Sequence, residues 1–351
     1  MHYSKFTGLL FAAVLLTPLL ARADAPVTSA PPTTAPPTAA SAPAAAMSTP
    51  FQYTNGKIVV QAKINGMGPY SLALDSGAET MMITQQVADA CKLSVQTGTV
   101  EISGTSGSYV PVGQAMVDKL EVGQAVVDKP FCTVSPRAIS VDGYIGAPLF
   151  NAYTVQIDFG SHQITCYPPD GYRPDPADQL FPITFGKHRV PVVQGSIGGV
   201  SAGFEIDTGS TFPAELAPGF VKTNDLTHKF TKIGSVMTNS VAGPANADVY
   251  GAPTLSLGNT AALALADNVP TLFQAPAVSD WDGRIGAPVL ANYVVTFDYA
   301  HSRLYLRPVS AFTPPAATTP AAPASPPAAA PAPTLGSATP APSSTSSSSG
   351  K

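Results

Sequence analysis

The middle of the chain contains one sequence unit written twice, and this internal repeat constrains the fold more than any other feature. Residues 142–167 and residues 282–307 align without gaps, and both begin Asp-Gly-x-Ile-Gly-Ala-Pro before an alternating apolar run. A second matched pair lies upstream, at residues 70–78 and residues 202–210, where an apolar run leads into Asp-Ser-Gly-Ala or Asp-Thr-Gly-Ser. Each copy is too long for a solenoid repeat and has the size of a small domain. The repeat therefore predicts two related lobes.

Composition separates this duplicated region from its flanks. Of the 37 Pro, seven fall in residues 24–50 and ten in residues 313–351, and each flank holds a single charged residue. Such segments bury too little apolar surface to offset the entropy of ordering, so we predict that both are disordered. Between them we place an N-terminal lobe at 51–170, an inter-lobe linker at 171–182 and a C-terminal lobe at 183–312.

Residues 1–23 have the pattern of a secretory signal peptide. Lys5 precedes an apolar run at residues 8–20, and Ala21-Arg22-Ala23 is a small-x-small cleavage site. A membrane anchor is the alternative, but the run is shorter than the ~20 residues that span a bilayer. We expect an exported protein without a transmembrane segment, periplasmic or extracellular after cleavage near Ala23.

Within each copy the pattern is that of β-strands. A strand at residues 58–64 meets the hairpin turn signal Asn65-Gly66, and the chain then returns as a strand to Asp75. In the second copy the run at residues 190–197 turns at Gly198-Gly199 and returns to Asp207 in the same way. A short helix is predicted from about Thr84, a candidate N-cap residue, to Cys91.

The motifs Asp75-Ser76-Gly77 and Asp207-Thr208-Gly209, each with a downstream Asp-Gly-x-Ile-Gly, resemble the aspartic proteases. The closer likeness is to the retropepsin-like aspartyl proteases of bacteria, and the resemblance covers most of residues 51–310. The resemblance implies a mostly β, two-lobed acid-protease fold from a tandem duplication, with closed barrel-like lobes and short helices. It also implies an aspartic endopeptidase that acts on peptide or protein substrates and needs no metal or organic cofactor.

The chemistry of Asp75 and Asp207 explains why the motif occurs twice. Two carboxyl groups within hydrogen-bond range repel each other strongly when both are ionised, so they share one proton. One then acts as base on a bound water while the other donates to the scissile carbonyl oxygen. Each copy supplies one Asp, and Gly77 and Gly209 permit the tight turn that presents it.

Other residues receive supporting roles from the resemblance. Ser76 and Thr208 would brace the two lobes across their interface, since each hydroxyl can donate one hydrogen bond to a buried acceptor. The structural loops beneath the two catalytic turns would hold Ile145, Gly146, Ile285 and Gly286.

Two Gly-rich segments, residues 102–112 and residues 234–248, are candidate flaps that cover substrate. Two positions depart from the family pattern. Glu79 replaces the Asp of viral relatives and either contacts substrate termini or faces solvent. Phe212-Pro213 replaces the usual residues after the second motif, which leaves the local packing there open.

The three cysteines, Cys91, Cys132 and Cys166, allow one disulfide with one free thiol, or three buried thiols. No Cys/His spacing indicates a metal site, and the five His show no paired spacing. A net charge of −4 without Lys/Arg clusters argues against nucleic-acid binding.

The remaining acidic pairs of the repeat are interpreted as structural. Asp158 and Asp298 are expected to cap hairpin turns, and Asp142 and Asp282 to form turns before glycine. Trp281 is expected in the core.

Two alternatives stay open beside an intrachain dyad in a monomer. The scaffold could bind a peptide or a cell-envelope component without cutting it, or each lobe could pair with a lobe of another chain.

Overall fold

The computed structural model describes residues 45–103, 109–186, 188–240, 243–258, 263–273 and 281–309. The predicted signal peptide, most of the predicted N-terminal linker and the predicted C-terminal tail lie outside these ranges. No described helix is both long enough and apolar enough to cross a membrane.

Strands dominate the first copy of the repeat. In chain order its elements are β1 (Met47–Thr54), β2 (Lys57–Ile64), β3 (Met67–Leu74), β4 (Met81–Thr84), α1 (Gln85–Ala90), β5 (Gln96–Ser103), β6 (Tyr109–Met116), β7 (Lys119–Val122), β8 (Ala125–Asp128), β9 (Phe131–Ser135), β10 (Gly143–Ile145), α2 (Ala147–Ala152), β11 (Thr154–Asp158) and β12 (Gln163–Tyr167).

The described second copy has a similar order, with one more helix, one strand fewer and longer central strands. Its elements are β13 (Gln179–Pro182), β14 (Thr184–Phe185), β15 (Pro191–Ile197), β16 (Val200–Asp207), β17 (Ala214–Leu216), α3 (Pro218–Thr223), α4 (Leu226–Lys229), β18 (Thr231–Ser240), β19 (Gly243–Leu257), β20 (Leu263–Leu272), β21 (Gly283–Gly286), α5 (Ala287–Leu290), β22 (Tyr293–Asp298) and β23 (Arg303–Pro308). The mostly β class expected from the sequence is thus confirmed.

A tight hairpin leads into each Asp-Ser/Thr-Gly motif, as the turn residues predict. Asn65 and Gly66, between β2 and β3, have φ angles of 52° and 75°. Gly198 and Gly199, between β15 and β16, have φ angles of 55° and 78°. Two successive positive φ values define the turn whose twist matches that of the flanking strands. The predicted helix is also present, with the Thr84 side chain accepting from the backbone N–H of Val87.

Of the described strands in the second copy, eight form one sheet in the order β14-β15-β16-β21-β17-β20-β19-β18. An extra pairing of β15 with β19 closes six of them into a barrel. Phe204 and Ile206 of β16 are fully buried within it, together with Ile285 of β21. β14 and β18 remain as edge strands outside the barrel, and β16 ends at Asp207.

The other described strands form a second sheet that continues from one copy into the other. Its outer part has the order β13-β23-β22-β11-β12-β1, and β11 pairs with β22 so that Ile157 faces Val295. The ring of Phe150 packs edge-on against Phe297 and stacks on Tyr299, with centroids 5.2 and 5.3 Å apart. The two copies therefore share strand pairing and an aromatic core.

Two predicted boundaries are wrong at the edge of this shared sheet. Residues 47–50, assigned to the disordered linker, belong to β1 and pair with β12. Residues 179–182, assigned to the inter-lobe linker, form β13 and pair with β23. Backbone pairing with distant strands orders both segments, and local composition carries no signal of such pairing.

The three cysteines are free thiols, and all three are buried. The sequence left a disulfide open, and no disulfide joins these residues. Burial raises the pKa of the Cys132 and Cys166 thiols to about 12. Neither of these two is poised as a nucleophile, because the thiolate is the reactive form.

Candidate active site

Two matching turns present the Asp75 and Asp207 side chains, one directly after β3 and one at the end of β16. The Gly77 backbone N–H donates to Asp75 Oδ1 at 3.0 Å, and the Gly209 N–H donates to Asp207 Oδ1 at 2.7 Å. A carboxylate that accepts from the backbone two residues later is held in one orientation. The repeat therefore builds the same carboxylate-presenting turn twice.

The two turns bring the carboxyl groups together. A side-chain hydrogen bond with Asp207 is one of the causes that raise the pKa of Asp75. Gly77 sits against the opposite carboxyl group, since a Cβ added there would lie 2.6 Å from Asp207 Cγ. A Cβ on Gly209 would likewise lie 2.4 Å from Asp75 Cγ. These distances leave no room for a side chain at either glycine.

Ser76 and Thr208 join the two turns through a reciprocal set of buried hydrogen bonds. The Ser76 hydroxyl donates to the Ile206 carbonyl oxygen at 2.7 Å, and the Thr208 hydroxyl donates to the Leu74 carbonyl oxygen at 3.1 Å. Both hydroxyls also accept a backbone N–H from the opposite turn. Because every buried polar group here has a partner, the network is rigid.

The Ile-Gly segments lie directly against these turns. The Asp75 N–H donates to the Ile145 carbonyl oxygen at 2.9 Å, and Ile145 and Ile285 are fully buried. A Cβ on Gly146 would lie 2.3 Å from the Thr80 carbonyl oxygen. A Cβ on Gly286 would lie 2.0 Å from the Phe212 carbonyl oxygen. Both glycines therefore allow an approach of two backbones that no side chain permits.

Asp142 and Asp282, expected only as turn formers, tie these segments to the strands beside them. Asp142 Oδ2 accepts the Ser71 N–H at 2.8 Å, and Asp282 Oδ2 accepts the Gly203 N–H at 2.9 Å. Asp158 caps its hairpin as expected, accepting from the Gly160 N–H at 2.9 Å.

Three charged side chains beside Asp207 were missed by the sequence interpretation: Glu205, Glu215 and Arg284. Arg284 Nε lies 3.1 Å from Asp207 Oδ2, and its guanidinium donates twice to Glu205 Oε2, at 2.9 and 3.0 Å. Glu215 Oε1 accepts from the Ser210 hydroxyl at 2.8 Å. Trp281, expected in the core, is buried and covers the guanidinium at 5.0 Å. The sequence signal that could have indicated this cluster was a charged residue within each of the short, largely apolar strands β16, β17 and β21.

Burial shapes the protonation of this region. Desolvation, followed by the charge of Asp207, raises the pKa of Asp75 well above its usual value. Desolvation also raises the pKa of Glu205 to about 7, although Arg284 opposes the shift. The pKa of Glu215 is raised for the same reason. A carboxyl pair with Asp207 buried, Asp75 half-buried and one group favoured in its neutral form is suited to acid–base chemistry.

The remaining candidates fall outside this centre. Glu79 is half exposed and pairs with His188 at 3.2 Å. The first candidate flap is the hairpin of β5 and β6, whose tip at residues 104–108 lies outside the described residues. The second corresponds to the hairpin of β18 and β19.

Within the described part of the chain, no group of three or more His, Cys, Asp or Glu side chains could hold a metal ion.

The fold and the paired turns define a two-lobed acid protease architecture. An aspartyl protease family model matches residues 60–149. Among solved structures, the aspartic proteinase from Irpex lacteus aligns with a TM-score of 0.52 at 16% identity, covering 76% of this chain and 98% of that one. The family-model match lies within the first copy of the repeat, and the structural likeness shows that the chain shares the fold of that aspartic proteinase.

A second solved structure, the Basic 7S globulin from soybean, aligns with a TM-score of 0.42 at 12% identity over 75% of this chain and 94% of that one. No curated protein sequence matches the chain significantly.

Proposed function

We propose that the chain is an exported aspartic endopeptidase in which Asp75 and Asp207 form the catalytic dyad. The observation that carries the proposal is that each carboxyl group, held by the N–H of its own turn, packs against the glycine of the opposite turn, which brings the pair together. Two carboxyl groups at this separation share one proton, so the pair provides an acid and a base at once. A water between them and the substrate would attack the scissile carbonyl carbon.

The substrate is an extended peptide lying across the dyad between the lobes. An extended backbone can pair with the exposed edge of a hairpin, and the β5–β6 and β18–β19 hairpins are the candidates for this contact. Closure of such hairpins would exclude water from the reacting atoms.

The direct test measures cleavage of a mixed peptide library and of a denatured protein by the full chain between pH 3 and pH 8. Asp75→Asn and Asp207→Asn should each lower the rate about a hundredfold or more, because each removes one partner of the proton transfer. Asp158→Asn, which keeps the hairpin cap, is the matched control and should retain wild-type activity. Full activity in both dyad variants would refute the assignment.

The same variants separate the alternatives. A protein that binds peptide without cutting it would leave the library intact across the whole pH range while retaining tight binding. A dyad formed between chains would regain activity when Asp75→Asn and Asp207→Asn proteins are mixed. An intrachain dyad in a monomer predicts no such recovery and a sedimentation mass of one chain.

Export rests on residues 1–23, which lie outside the described residues. If this segment is a signal peptide, mass spectrometry of the protein recovered from the cell envelope or medium will show an N-terminus near Ala23. An intact N-terminus on the recovered protein would contradict export by this route.

A further inference from the structure

Glu205, Arg284 and Glu215 form a ladder of charges across three neighbouring strands, here called the charged ladder. Arg284 of β21 stands opposite Glu205 of β16 and opposite Glu215 of β17 in the strand register. The side chain of Arg284 is 14% exposed, that of Glu205 2% and that of Glu215 4%. Charged groups so deeply buried are costly unless they are paired, which makes a cluster of this kind unusual in a sheet.

Asp207 belongs to this ladder through its place in β16. Residues two apart in a strand share a face, so Asp207 follows Glu205 on the side that carries Arg284. Arg284 Nε lies between the two acids, 3.1 Å from Asp207 Oδ2 and 3.0 Å from Glu205 Oε2. Arg284 Nη1 lies 3.8 Å from Glu215 Oε1.

At the matching register positions, the described residues of the first lobe contain no counterpart to this ladder. Its matching register positions pair Tyr144 of β10 with Ala73 of β3 and with Met82 of β4. None of these three side chains carries a charge at neutral pH. The two carboxyl groups of the dyad therefore sit in symmetric turns but in unequal electrostatic surroundings, with the cation beside Asp207.

The geometry points to Arg284 as a positioning residue that assigns the roles within the dyad, holding the negative charge on Asp207 and leaving the shared proton on Asp75. This inference rests on the proposed dyad and deepens it. Asp207 is then the base that takes a proton from the attacking water, and Asp75 donates its proton to the carbonyl oxygen of the substrate. Each transfer moves one proton, and the dyad ends with its proton on Asp207.

Arg284 also lowers the pKa of Asp75, but by less than desolvation and the charge of Asp207 each raise it. Desolvation favours the neutral form of Asp75, whose pKa is raised further by the charge of Asp207. The pKa of Tyr299, whose hydroxyl donates to the Ser76 carbonyl oxygen, is raised well above its usual value by burial, so it stays neutral. Arg189 acts in the opposite direction and lowers the pKa of Tyr299, by less than burial raises it.

The two ladder acids limit the effect of Arg284 at high pH. Burial raises the pKa of Glu205 to about 7. Below that pH Glu205 is neutral and the guanidinium charge acts mainly on Asp207. Above it, ionised Glu205 competes for the same cation. Arg284 therefore stabilises the negative charge on Asp207 most strongly at acidic pH, where the dyad carries the single proton that catalysis requires.

The test follows kcat/KM against pH for the full chain and for Arg284→Met, Arg284→Lys and Arg307→Met. In Arg284→Met, the acid limb of the kcat/KM–pH profile should move to higher pH by about 1 to 3 units. The reason is that the singly ionised dyad loses the guanidinium cation that stabilises it. Arg284→Lys keeps the charge and should restore most of the wild-type profile. Arg307→Met is the matched control, since it breaks an arginine pair with buried Asp178 outside the site.

A uniform fall in kcat at every pH, with the acid limb of Arg284→Met unmoved, would mean a merely structural role and would overturn the inference. If Arg284→Met does not fold, the triple variant that adds Glu205→Gln and Glu215→Gln removes the orphaned acids. The triple variant should show the same upward shift of the acid limb. If its acid limb does not move, the inference is overturned as well.

A second readout does not depend on cleavage. Carbon-13 NMR of protein labelled at the Asp carboxyl carbons, assigned with Asp75→Asn and Asp207→Asn, reports the first dyad ionisation directly. If the wild type cuts no peptide but this titration moves upward in Arg284→Met, the proposed function fails and the inference stands. If the wild type cuts peptides but the titration does not move, the inference alone fails.

Discussion

Ser76 and Thr208 each accept the other's backbone N–H on a side-chain hydroxyl, and both of these hydrogen bonds measure 3.0 Å. The residues are 132 positions apart in the chain, so this pair is a direct contact between the two copies of the repeat. Each hydroxyl also donates a hydrogen bond to the carbonyl oxygen of the residue just before the opposite Asp. The positions of the two carboxyl groups are coupled through this exchange.

We predict that Thr208→Val destabilises the fold while preserving the shape of the side chain. The Leu74 carbonyl oxygen and the Ser76 N–H would lose their buried partner, at about 1–3 kcal/mol each. Thr208→Ser keeps the hydroxyl and should stay within about 1 kcal/mol of wild type. Urea unfolding measures both free energies, and equal losses in the two variants would contradict the role of the hydroxyl.

Combining Thr208→Val with Ser76→Ala tests whether the two residues act as one unit. Because they share partners, the double variant should differ from the sum of the single losses by about 0.5–3 kcal/mol. Strict additivity would show that the two turns are held independently.

We expect Gly209→Ala to abolish catalysis, because the new Cβ would lie 2.4 Å from Asp75 Cγ and would drive the carboxyl groups apart. A misplacement of about 1 Å can cost a hundredfold in rate. Gly219→Ala in α3 is the matched control, since nothing lies within 4 Å of its Cβ position. The control should keep full activity and gain about 0.5–1 kcal/mol of stability in urea unfolding. Normal peptide turnover by Gly209→Ala would contradict the tight contact.

Glu205 makes stability depend on pH in a defined direction. Its pKa in the folded chain is about 7, against a usual 4.5, so the folded state binds this proton more tightly than the unfolded state. The stabilisation is therefore complete below pH 4.5 and is lost as the pH rises through 7. The shift corresponds to about 3 kcal/mol.

Glu205→Gln should flatten this dependence, measured as the difference in unfolding free energy between pH 4.5 and pH 8. Glu121→Gln, in β7 and away from the ladder, should keep the wild-type difference. A Glu205→Gln protein with the full wild-type pH dependence would place the responsible group elsewhere.

The three cysteines should be unreactive until the chain unfolds. Cys91, Cys132 and Cys166 are buried free thiols, so a disulfide-exchange reagent at pH 8 should modify them slowly in the native protein. In denaturant, without any reductant, it should titrate three thiols per chain. A titre of one would indicate a disulfide, and prior reduction of a second sample provides the control.

Local patterns were sufficient for the elements that lead into the site. Asn65-Gly66 and Gly198-Gly199 predict the two hairpins, because few other residues adopt successive positive φ angles without strain. The same patterns did not extend to the segments at residues 47–50 and residues 179–182, where distant strands supply the pairing. Strand pairing at long range depends on the partner more than on the segment itself.

The charged ladder was beyond sequence interpretation for a related reason. Arg284 and Glu205 are 79 positions apart, and a single charge in an apolar strand usually indicates a solvent-facing position. Only the register of β16, β21 and β17 turns the three charges toward one another and toward Asp207. The matching register positions of the first lobe hold uncharged side chains, so the charged ladder is specific to the second lobe.

The sequence by itself determined that this chain has two related lobes, each ending a strand in an Asp-Ser/Thr-Gly turn, because a duplicated motif carries its local geometry with it. Tertiary structure decided how the copies meet: the exchange between Ser76 and Thr208, the pairing of β11 with β22 and the placing of Arg284 beside one Asp. A repeat encodes what its copies share. The difference between the two acids arises from contacts between distant strands, which exist only in the folded chain.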